Sequence, residues 1–413
     1  SRQILLNWID SISIDWPISR RRYYATEIPL WYCKKCNEPI IPPKGKYYRP
    51  WLEPPPIKKC PKCGHQKFRG EERVLDTWFD SSNTPLYILG YSSDKKFFKK
   101  NTPCSLRPQG FEIVRSWLYY TVLKDYLLTG DCIFRDVFIH RHVLDEKGHK
   151  MSKSLGNTID PVDVLDKFGA EPFRLWTVIE GNLTKTDFRC SFEKIAGIGK
   201  FLTKLWNIAR FIEHISLGKN NRQGEISLTP LDRWILQEAD KLVRYSKKRY
   251  ACYDFHNPVT RLKHFIWGAF ASHYIELAKT RAYNPDKKFS QQEQQAAIYS
   301  LNRVLDTILL LLAPVVPFVT YKIYRELRGQ DIHLAEFPRP DPKIARIKLP
   351  FTTEQLVGFD SAAWKAKKDK GLSLKTEVKR ATIPAALKPV EADLKKAHNI
   401  KEAKYGKTPS FSF

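Results

Sequence analysis

The chain has 413 residues, of which 42% are hydrophobic and 13% aromatic, a composition that excludes an intrinsically disordered protein. Its 70 lysines and arginines outnumber its 44 acidic residues, and the net charge of +26 favours a polyanionic partner, with a nucleic acid ahead of a membrane surface. The longest apolar run, 307–319, is shorter than the ~20 residues of a membrane-spanning helix, so we expect no membrane segment.

The composition also predicts that the chain is one part of a larger, multidomain protein. It begins at Ser1 and its only methionine is Met151, so we expect a fragment, a processed piece or one half of a split protein. Its length exceeds what one hydrophobic core usually organises, which predicts two or three domains. Changes in composition and periodicity divide the chain into five segments, namely 1–30, 31–70, 71–191, 192–338 and 339–413.

The first two segments differ in composition, and residues 1–30 alternate polar and apolar patches. Residues 1–30 include the basic cluster Arg20–Arg22, followed directly by Tyr23 and Tyr24. Residues 31–70 are rich in proline, lysine and cysteine, and we expect them to form a small knob without a sizeable core.

The third segment, 71–191, alternates between helical and strand-like patterns. We predict a helix over Phe111–Leu128, a strand over Cys132–His140 and a hairpin over Val143–Met151. Asp160 followed by Pro161 is a strong signal for a helix start, because it combines an N-cap side chain with proline in the first turn. The alternation predicts half of an α/β domain.

The fourth segment is helical almost throughout, and the fifth is basic with weaker periodicity. Apolar residues recur at helical spacing, one helix is predicted to start at Thr229–Pro230, and another covers Gln291–Leu312. Four or more such helices joined by short loops predict a bundle. At the end of the chain, 381–386, 388–398 and 400–405 are predicted to form a small β-α-β unit.

Four of the eight cysteines form two Cys-x-x-Cys pairs with 23 residues between them. Two such pairs are typical of a tetrahedral zinc site, and the alternative is two unrelated pairs. A zinc held by four thiolates has no position left for water, so we expect a structural metal and not a catalytic one. Cysteine spacing of this kind, without a disulfide framework, predicts a reducing compartment, the cytoplasm. The predicted ligands are Cys33, Cys36, Cys60 and Cys63.

The pentapeptide 150–154 carries two lysines three residues apart, Lys150 and Lys153, between Gly148 and Gly156. Glycines on both sides allow a loop to move, and two ammonium groups can close on a triphosphate. There they would stabilise the charge that develops during nucleotidyl transfer. The alternative is an ordinary solvated lysine turn.

A longer run around this pentapeptide, 143–157, resembles the signature loop of the class I aminoacyl-tRNA synthetases along its whole length. Two further segments resemble the same family. Residues 74–82 resemble the tryptophan-bearing segment of the amino-acid pocket, and residues 109–117 resemble the segment that meets the adenosine ribose. The resemblance implies the second half of a Rossmann-type nucleotide-binding domain with a zinc-knuckle insertion. A helical anticodon-binding bundle and a small α+β domain would follow it.

The resemblance also implies roles for particular residues. Lys150 and Lys153 would be catalytic through their charge, and ATP would bring Mg²⁺ on its phosphates. The implied ATP-binding residues are Gly110, Glu112, Val143, Leu144, Ser152 and Lys153. Trp78 and Trp117 would wall a slot for a branched aliphatic side chain.

Finer features favour the valine enzymes of the archaeal-type branch. Thr77, Ser82 and the run 112–117 match those enzymes, whereas isoleucine relatives usually differ at these places. The implied reaction joins valine and ATP to valyl-adenylate and transfers valine to tRNA(Val). An isoleucine enzyme and a non-catalytic tRNA-binding paralogue remain as alternatives.

The sequence lacks the family's His-x-Gly-His motif, so we expect the missing N-terminal half, on the same or a separate chain, to be required for activity. Residues 16–20 resemble the strand that re-enters the catalytic domain after the editing domain. Residues 204–211 resemble the opening of the anticodon-binding domain, which implies exposed basic residues that contact tRNA phosphates. The candidates are Lys204, Arg210, Lys263, Lys279 and Arg281.

Overall fold

A computed structural model describes residues 2–182, 186–217 and 226–413, and the chain divides into two compact units, Ser1–His142 and Val143–Phe413. The boundary falls inside the predicted 71–191 segment. The motifs of that segment therefore lie in two different units.

The first unit combines short helices with three small sheets. Trp31–Cys33 lies between two antiparallel neighbours, Pro39–Ile40 and Phe68–Gly70, and Ser19–Arg20 pairs antiparallel with Val74–Leu75. Cys104–Gly110 and Phe134–His140 form a parallel pair. The α-helices of this unit are Arg2–Asp10, Thr77–Ser81, Thr84–Ile88, Lys95–Asn101 and Tyr119–Thr129.

A β-α-β unit is the part of the first unit that organises its functional segments. Parallel strands need a crossover connection, and here it runs through a 3₁₀ turn at Phe111–Ile113, a π-helical turn at Val114–Leu118 and the helix Tyr119–Thr129. The predicted helix and strand are thus confirmed, with the strand starting two residues later than expected. Buried Val114, Leu118 and Ile139 pack the crossover against the strands.

The second unit begins with a short parallel strand pair and continues as helices. Val143–Leu144 pairs with Phe188–Arg189, and a 3₁₀ turn covers Lys153–Leu155. The first helices are Pro161–Phe168 and Ala170–Glu180. The α-helices of the bundle that follows are Phe192–Ser216, Pro230–Tyr250, His256–Phe265, Ile275–Tyr283, Gln291–Leu312 and Pro317–Arg328, with a π-helical stretch at Ile266–Tyr274.

Local sequence signals account for several helix starts in the second unit. The Asp160 side chain accepts a hydrogen bond from the backbone N–H of Val162, as predicted. Thr229 and Asp232 form a reciprocal capping box at the start of Pro230–Tyr250. The helix Gln291–Leu312 has the predicted bounds.

The end of the chain packs on the same core as the bundle. The helices Pro342–Ala345 and Thr353–Asp369 lead to the strand Val378–Pro384, which pairs parallel with Ile400–Gly406 across a 3₁₀ turn and the helix Glu391–His398. Ser410–Ser412 adds an antiparallel third strand. One cluster of buried apolar residues runs from Val164 to Ile400, so this β-α-β unit shares the core of the bundle.

One described helix, Gln291–Leu312, is long and apolar enough to cross a membrane by length and composition alone. However, 67% of its most apolar window is buried inside the protein. This burial is what the central helix of a bundle shows, so the helix is weak evidence for a membrane span.

Two buried polar networks fasten the C-terminal elements to the bundle. The Asp360 carboxylate lies between two histidine rings, with Oδ2 2.5 Å from His273 Nδ1 and Oδ1 2.6 Å from His398 Nε2. Elsewhere, Arg281 donates to both Asp232 and Asp393. These six residues come from distant stretches of the chain, so each network ties several elements together.

Candidate functional site

The lysine loop begins as a tight hairpin in the second unit. Leu144 bridges antiparallel to Lys150, and the Asp145 carboxylate accepts the backbone N–H of His149 at 2.7 Å. Gly148 has a φ of +90°, and a Cβ there would lie 2.7 Å from Nε of Arg189. The turn therefore requires glycine at position 148.

Beyond the hairpin, the loop backbone is braced at its base. Ser152 donates its backbone N–H to Oδ1 of Asn157 at 2.9 Å, and its hydroxyl accepts the N–H of Leu155 at 3.3 Å. Asn157 Nδ2 in turn donates to Asp145 Oδ2 at 2.9 Å, a bond that is the largest cause of the lowered pKa of Asp145. Lys150 and Lys153 stand in exposed positions on this braced backbone.

In the first unit, the residues expected to meet the ribose lie at one end of the parallel strand pair. Gly110 is the last residue of its strand and pairs with His140, the last residue of the neighbouring strand. Glu112 follows in the 3₁₀ turn, and its Oε1 lies 3.6 Å from Nε2 of His142. Ligands of open α/β sheets bind outside the carboxyl ends of the strands, which is where these residues lie.

The two predicted pocket tryptophans lie on contacting elements of the first unit. Trp78 is in the helix Thr77–Ser81, which starts where Asp76 caps it, and Trp117 is in the π-helical turn Val114–Leu118. Both residues are half-buried, and Trp117 Nε1 donates to the carbonyl oxygen of Ser81 at 3.0 Å. This hydrogen bond links the π-helical turn Val114–Leu118 to the helix Thr77–Ser81. π-Helical turns are frequent at functional sites.

Within each unit, the predicted site residues are therefore grouped. Gly110 and Glu112 lie at the same end of the strand pair. Trp78 and Trp117 lie on two neighbouring elements, which are joined by the hydrogen bond from Trp117 to Ser81. The second unit gathers its predicted residues in one hairpin and the adjoining turn, which contain Val143, Leu144, Lys150, Ser152 and Lys153.

A cavity of about 790 Å³ lies in the first unit, and sequence reasoning did not predict it. One wall carries the Arg20–Asp76 ion pair, with Nη2 2.6 Å from Oδ2. Other walls are formed by Tyr23 and Tyr24, which project almost fully into solvent. The sequence signal was the cluster Arg20–Arg22 next to two tyrosines. Further lining residues are Arg22, Tyr47, Arg49, Trp51, Thr77 and Asp80.

The four predicted ligand cysteines form one cluster. All four Sγ atoms lie within 4.8 Å of one another, and Cys33–Cys63 and Cys36–Cys60 are 3.6 Å apart. Sulfurs about 2.3 Å from a tetrahedral zinc would be about 3.8 Å apart, so the cluster is large enough for such an ion. Each pair sits in a tight turn closed by a left-handed residue, Asn37 in one and Gly64 in the other.

One predicted phosphate contact is wrong. Arg281 was expected to be exposed, but it is 1% exposed, and its guanidinium is paired with Asp232 and Asp393. It faces the core because helices that lie far along the chain cover that side of its own helix. Of the other candidates, Arg210 is exposed and three are half-exposed, namely Lys204, Lys263 and Lys279.

Two of the half-exposed candidates are held by neighbours. Lys204 Nζ lies 3.7 Å from the centre of the Trp267 ring, and Lys279 pairs with Glu276. Lys204 therefore presents its charge beside an indole that is 50% exposed.

Known proteins match nearly the whole length of this chain. Residues 1–189 match the family "tRNA synthetases class I (I, L, M and V)", and residues 232–383 match the "Anticodon-binding domain of tRNA ligase". The valine–tRNA ligase of Aeropyrum pernix is 40% identical over 99% of this chain and 50% of its own length. That of Pyrobaculum aerophilum is 41% identical over 98% and 51%. The chain thus spans about half the length of these relatives.

Solved structures share the fold. The LeuRS of Agrobacterium radiobacter K84, in a ternary complex with tRNA and LeuAMS, matches with a TM-score of 0.58 and 19% identity, over 89% of this chain and 49% of its own. The methionyl-tRNA synthetase of Mycobacterium tuberculosis matches with a TM-score of 0.57 and 21% identity, over 78% and 56%. The fold is accordingly a class I synthetase catalytic fold with an anticodon-binding domain. The chain therefore belongs to the class I tRNA synthetases, within the group that includes the archaeal valine–tRNA ligases.

Proposed function

We propose that this chain forms half of a valine–tRNA ligase, which joins valine and ATP to valyl-adenylate and then transfers valine to the 3′ end of tRNA(Val). The braced hairpin with exposed Lys150 and Lys153 is the observation that carries the proposal. The names of the archaeal relatives favour valine over isoleucine. A non-catalytic paralogue would have no need of the exposed lysine pair on a backbone fixed by Asp145 and Asn157.

Each group of residues has a proposed role in this reaction. Lys150 and Lys153 neutralise the charge that develops on the ATP phosphates, together with Mg²⁺ on the same phosphates. Ser152 fixes the turn that carries Lys153. Glu112 accepts hydrogen bonds from the ribose hydroxyls beside Gly110, while Val143 and Leu144 contact the nucleotide. Trp78 and Trp117 form an apolar slot for the valine side chain.

Valine-dependent exchange of pyrophosphate into ATP tests this function. The complete enzyme should catalyse exchange with valine, whereas the chain of 413 residues alone should not, because catalysis of this kind depends on positioning the whole phosphate clamp. Exchange by the pure chain would show that it holds every essential group. A complete enzyme that binds ATP without any exchange would indicate the paralogue.

We also propose that the four clustered cysteines hold a structural zinc, which links the two turns of the small 31–70 segment.

Purified without chelators, the chain should contain about one zinc, and Cys60→Ser should remove it. Removal should also make residues 31–70 sensitive to protease, because so small a segment depends on the metal for folding. Metal analysis and limited proteolysis measure both effects. Cys252→Ser, which changes an exposed cysteine outside the cluster, is the matched control and should keep its zinc. A zinc-free wild-type chain would contradict the proposal. Thiolate ligands stay reduced in the cytoplasm, which is the compartment that we propose for this protein.

The cavity bordered by Tyr23 and Tyr24 is the proposed place for the single-stranded 3′ end of the tRNA. Guanidinium groups beside exposed aromatic rings suit a single strand, because phosphates pair with the arginines while bases stack on the rings. Arg22 and Arg49 line the same cavity and supply guanidinium groups for the phosphates, although the carboxylates of Glu27, Asp76 and Asp80 also line it.

Changing Tyr23 and Tyr24 together to alanine should weaken binding of intact tRNA by at least about tenfold, the scale of losing one stacked base. Binding of tRNA that lacks its single-stranded 3′ nucleotides should not change. Fluorescence anisotropy with both tRNAs measures this difference. Tyr87→Ala is the matched control, because Tyr87 is 87% exposed in the same unit but does not line the cavity. Equal losses for both tRNAs would place the 3′ end elsewhere.

A further inference from the structure

The indole of Trp117 is held by a buried arginine that has no part in the motifs above. Arg107 lies in the strand Cys104–Gly110 and is 5% exposed. Its guanidinium carbon is 3.5 Å from the centre of the Trp117 ring and 5.2 Å from that of Phe134. A cation is attracted to the negative face of an indole, and more strongly where water is excluded. The contact therefore restrains the plane of the Trp117 ring.

A hydrogen bond restrains the same indole at its edge. Nε1 of Trp117 donates to the carbonyl oxygen of Ser81 at 3.0 Å, and Ser81 ends the helix that carries Trp78. With a cation at its face and a hydrogen bond at its edge, the ring has little freedom to rotate. Its orientation relative to the helix of Trp78 is thus set from two directions.

Hydrogen bonds do not fully compensate the unfavourable free energy of burying the Arg107 guanidinium. Within the described residues, its Nε and Nη2 atoms are buried without a hydrogen-bond partner. Burial lowers the pKa of Arg107 to about 10, opposed by the Asp125 charge, so the guanidinium is still protonated at neutral pH. Burying a charge is unfavourable unless other interactions compensate it. The indole face is the main interaction that does so, because burial raises the pKa of Asp125 to about 7 and leaves this carboxyl only partly ionised at neutral pH.

We propose that Arg107 is a positioning residue, which orients Trp117 and thereby sets the width of the slot for the amino-acid side chain. The inference rests on the proposed function, in which Trp78 and Trp117 wall that slot. An indole freed from Arg107 can turn and leave room for one more methylene group. An apolar pocket rejects an added methylene by about 10- to 200-fold. Isoleucine is one methylene larger than valine, so its rejection depends on the slot width that the Trp117 indole sets.

Arg107→Lys in the complete enzyme tests the proposal, because lysine keeps a positive charge near Asp125 but loses the planar group that lies on the indole. We expect the preference for valine over isoleucine in pyrophosphate exchange to fall about tenfold, at the lower end of that range. The KM for valine should rise, whereas the KM for ATP should stay unchanged.

Asp125→Asn is the matched control. Asp125 is fully buried, and both of its carboxylate oxygens lack a hydrogen-bond partner among the described residues. The change removes a carboxyl that is only partly ionised at neutral pH and leaves the contact between Arg107 and Trp117, so the valine preference should be retained. If Arg107→Lys keeps the parent preference, the contact with the indole does not set the slot and the proposal is overturned. If Asp125→Asn loses the preference equally, the loss comes from disturbing the buried surroundings of Arg107, and the proposal is likewise overturned.

A failure of the variant to fold and a failure of the proposed function can both be distinguished from a failure of the proposal about Arg107. If Arg107→Lys does not fold, Arg107→Gln combined with Asp125→Asn removes both charges and must show the same loss of preference. A parent enzyme that fails to activate valine overturns the proposed function, whereas an active parent with an unaltered variant overturns only the role of Arg107.

Discussion

Replacing Lys153 by alanine in the complete enzyme is expected to lower the rate of valyl-adenylate formation by about 10²- to 10³-fold. That is the scale for losing one preorganised group that stabilises charge in a transition state. Lys153 begins an exposed 3₁₀ turn whose backbone is capped by Ser152, so alanine removes the ammonium group without removing the cap. Rapid-quench measurement of adenylate formation at saturating valine and ATP gives the rate directly.

Two variants separate the charge of Lys153 from the conformation of its loop. Lys147→Ala removes the same charge from the exposed turn of the same hairpin and should leave the rate unchanged. Ser154→Ala removes a hydroxyl that lies 3.2 Å from Oγ of Ser152 and keeps both catalytic lysines. A loss from Ser154→Ala as large as that from Lys153→Ala would mean that loop conformation, and not ammonium charge, dominates the step.

The features that could be predicted from the sequence are those that neighbouring residues decide. The start at Asp160 is fixed by a side chain that bonds an N–H two residues ahead. The capping box at Thr229 spans only three residues. The hairpin that carries Lys150 likewise depends on a turn within the hairpin itself. Such signals lie within one turn of backbone, so a single sequence contains them completely.

The features that could not be predicted depend on partners far along the chain. Trp117 bonds to Ser81, 36 residues away, and Arg281 bonds to Asp393, 112 residues away. The π-helical turn around Trp117 and the stacking of Arg107 on its ring belong to the same class, since each depends on packing between elements. A helical pattern shows that Arg281 lies on a helix but not that other helices cover that side.

Replacing buried Arg281 by methionine is expected to lower the free energy of unfolding of the second unit by about 3–5 kcal/mol, the typical result of breaking a buried ion pair from one side. Arg281 donates to both oxygens of Asp232, at 2.8 and 2.9 Å, and to Asp393 at 2.9 Å. Methionine fills a similar volume but leaves these two carboxylates buried without their cation. Urea unfolding of the chain, followed by far-UV circular dichroism, measures the change.

The control for Arg281→Met is Arg380→Met. Arg380 also donates two hydrogen bonds to one carboxylate, that of Glu402, but both side chains are more than half exposed. An exposed pair contributes at most about 1 kcal/mol, so Arg380→Met should change stability little. Adding Asp232→Asn to Arg281→Met should restore part of the lost stability, because it removes one of the uncompensated charges. If Arg281→Met costs no more than Arg380→Met, the buried network does not stabilise the packing of the C-terminal elements on the bundle, and the burial of Arg281 needs a different explanation.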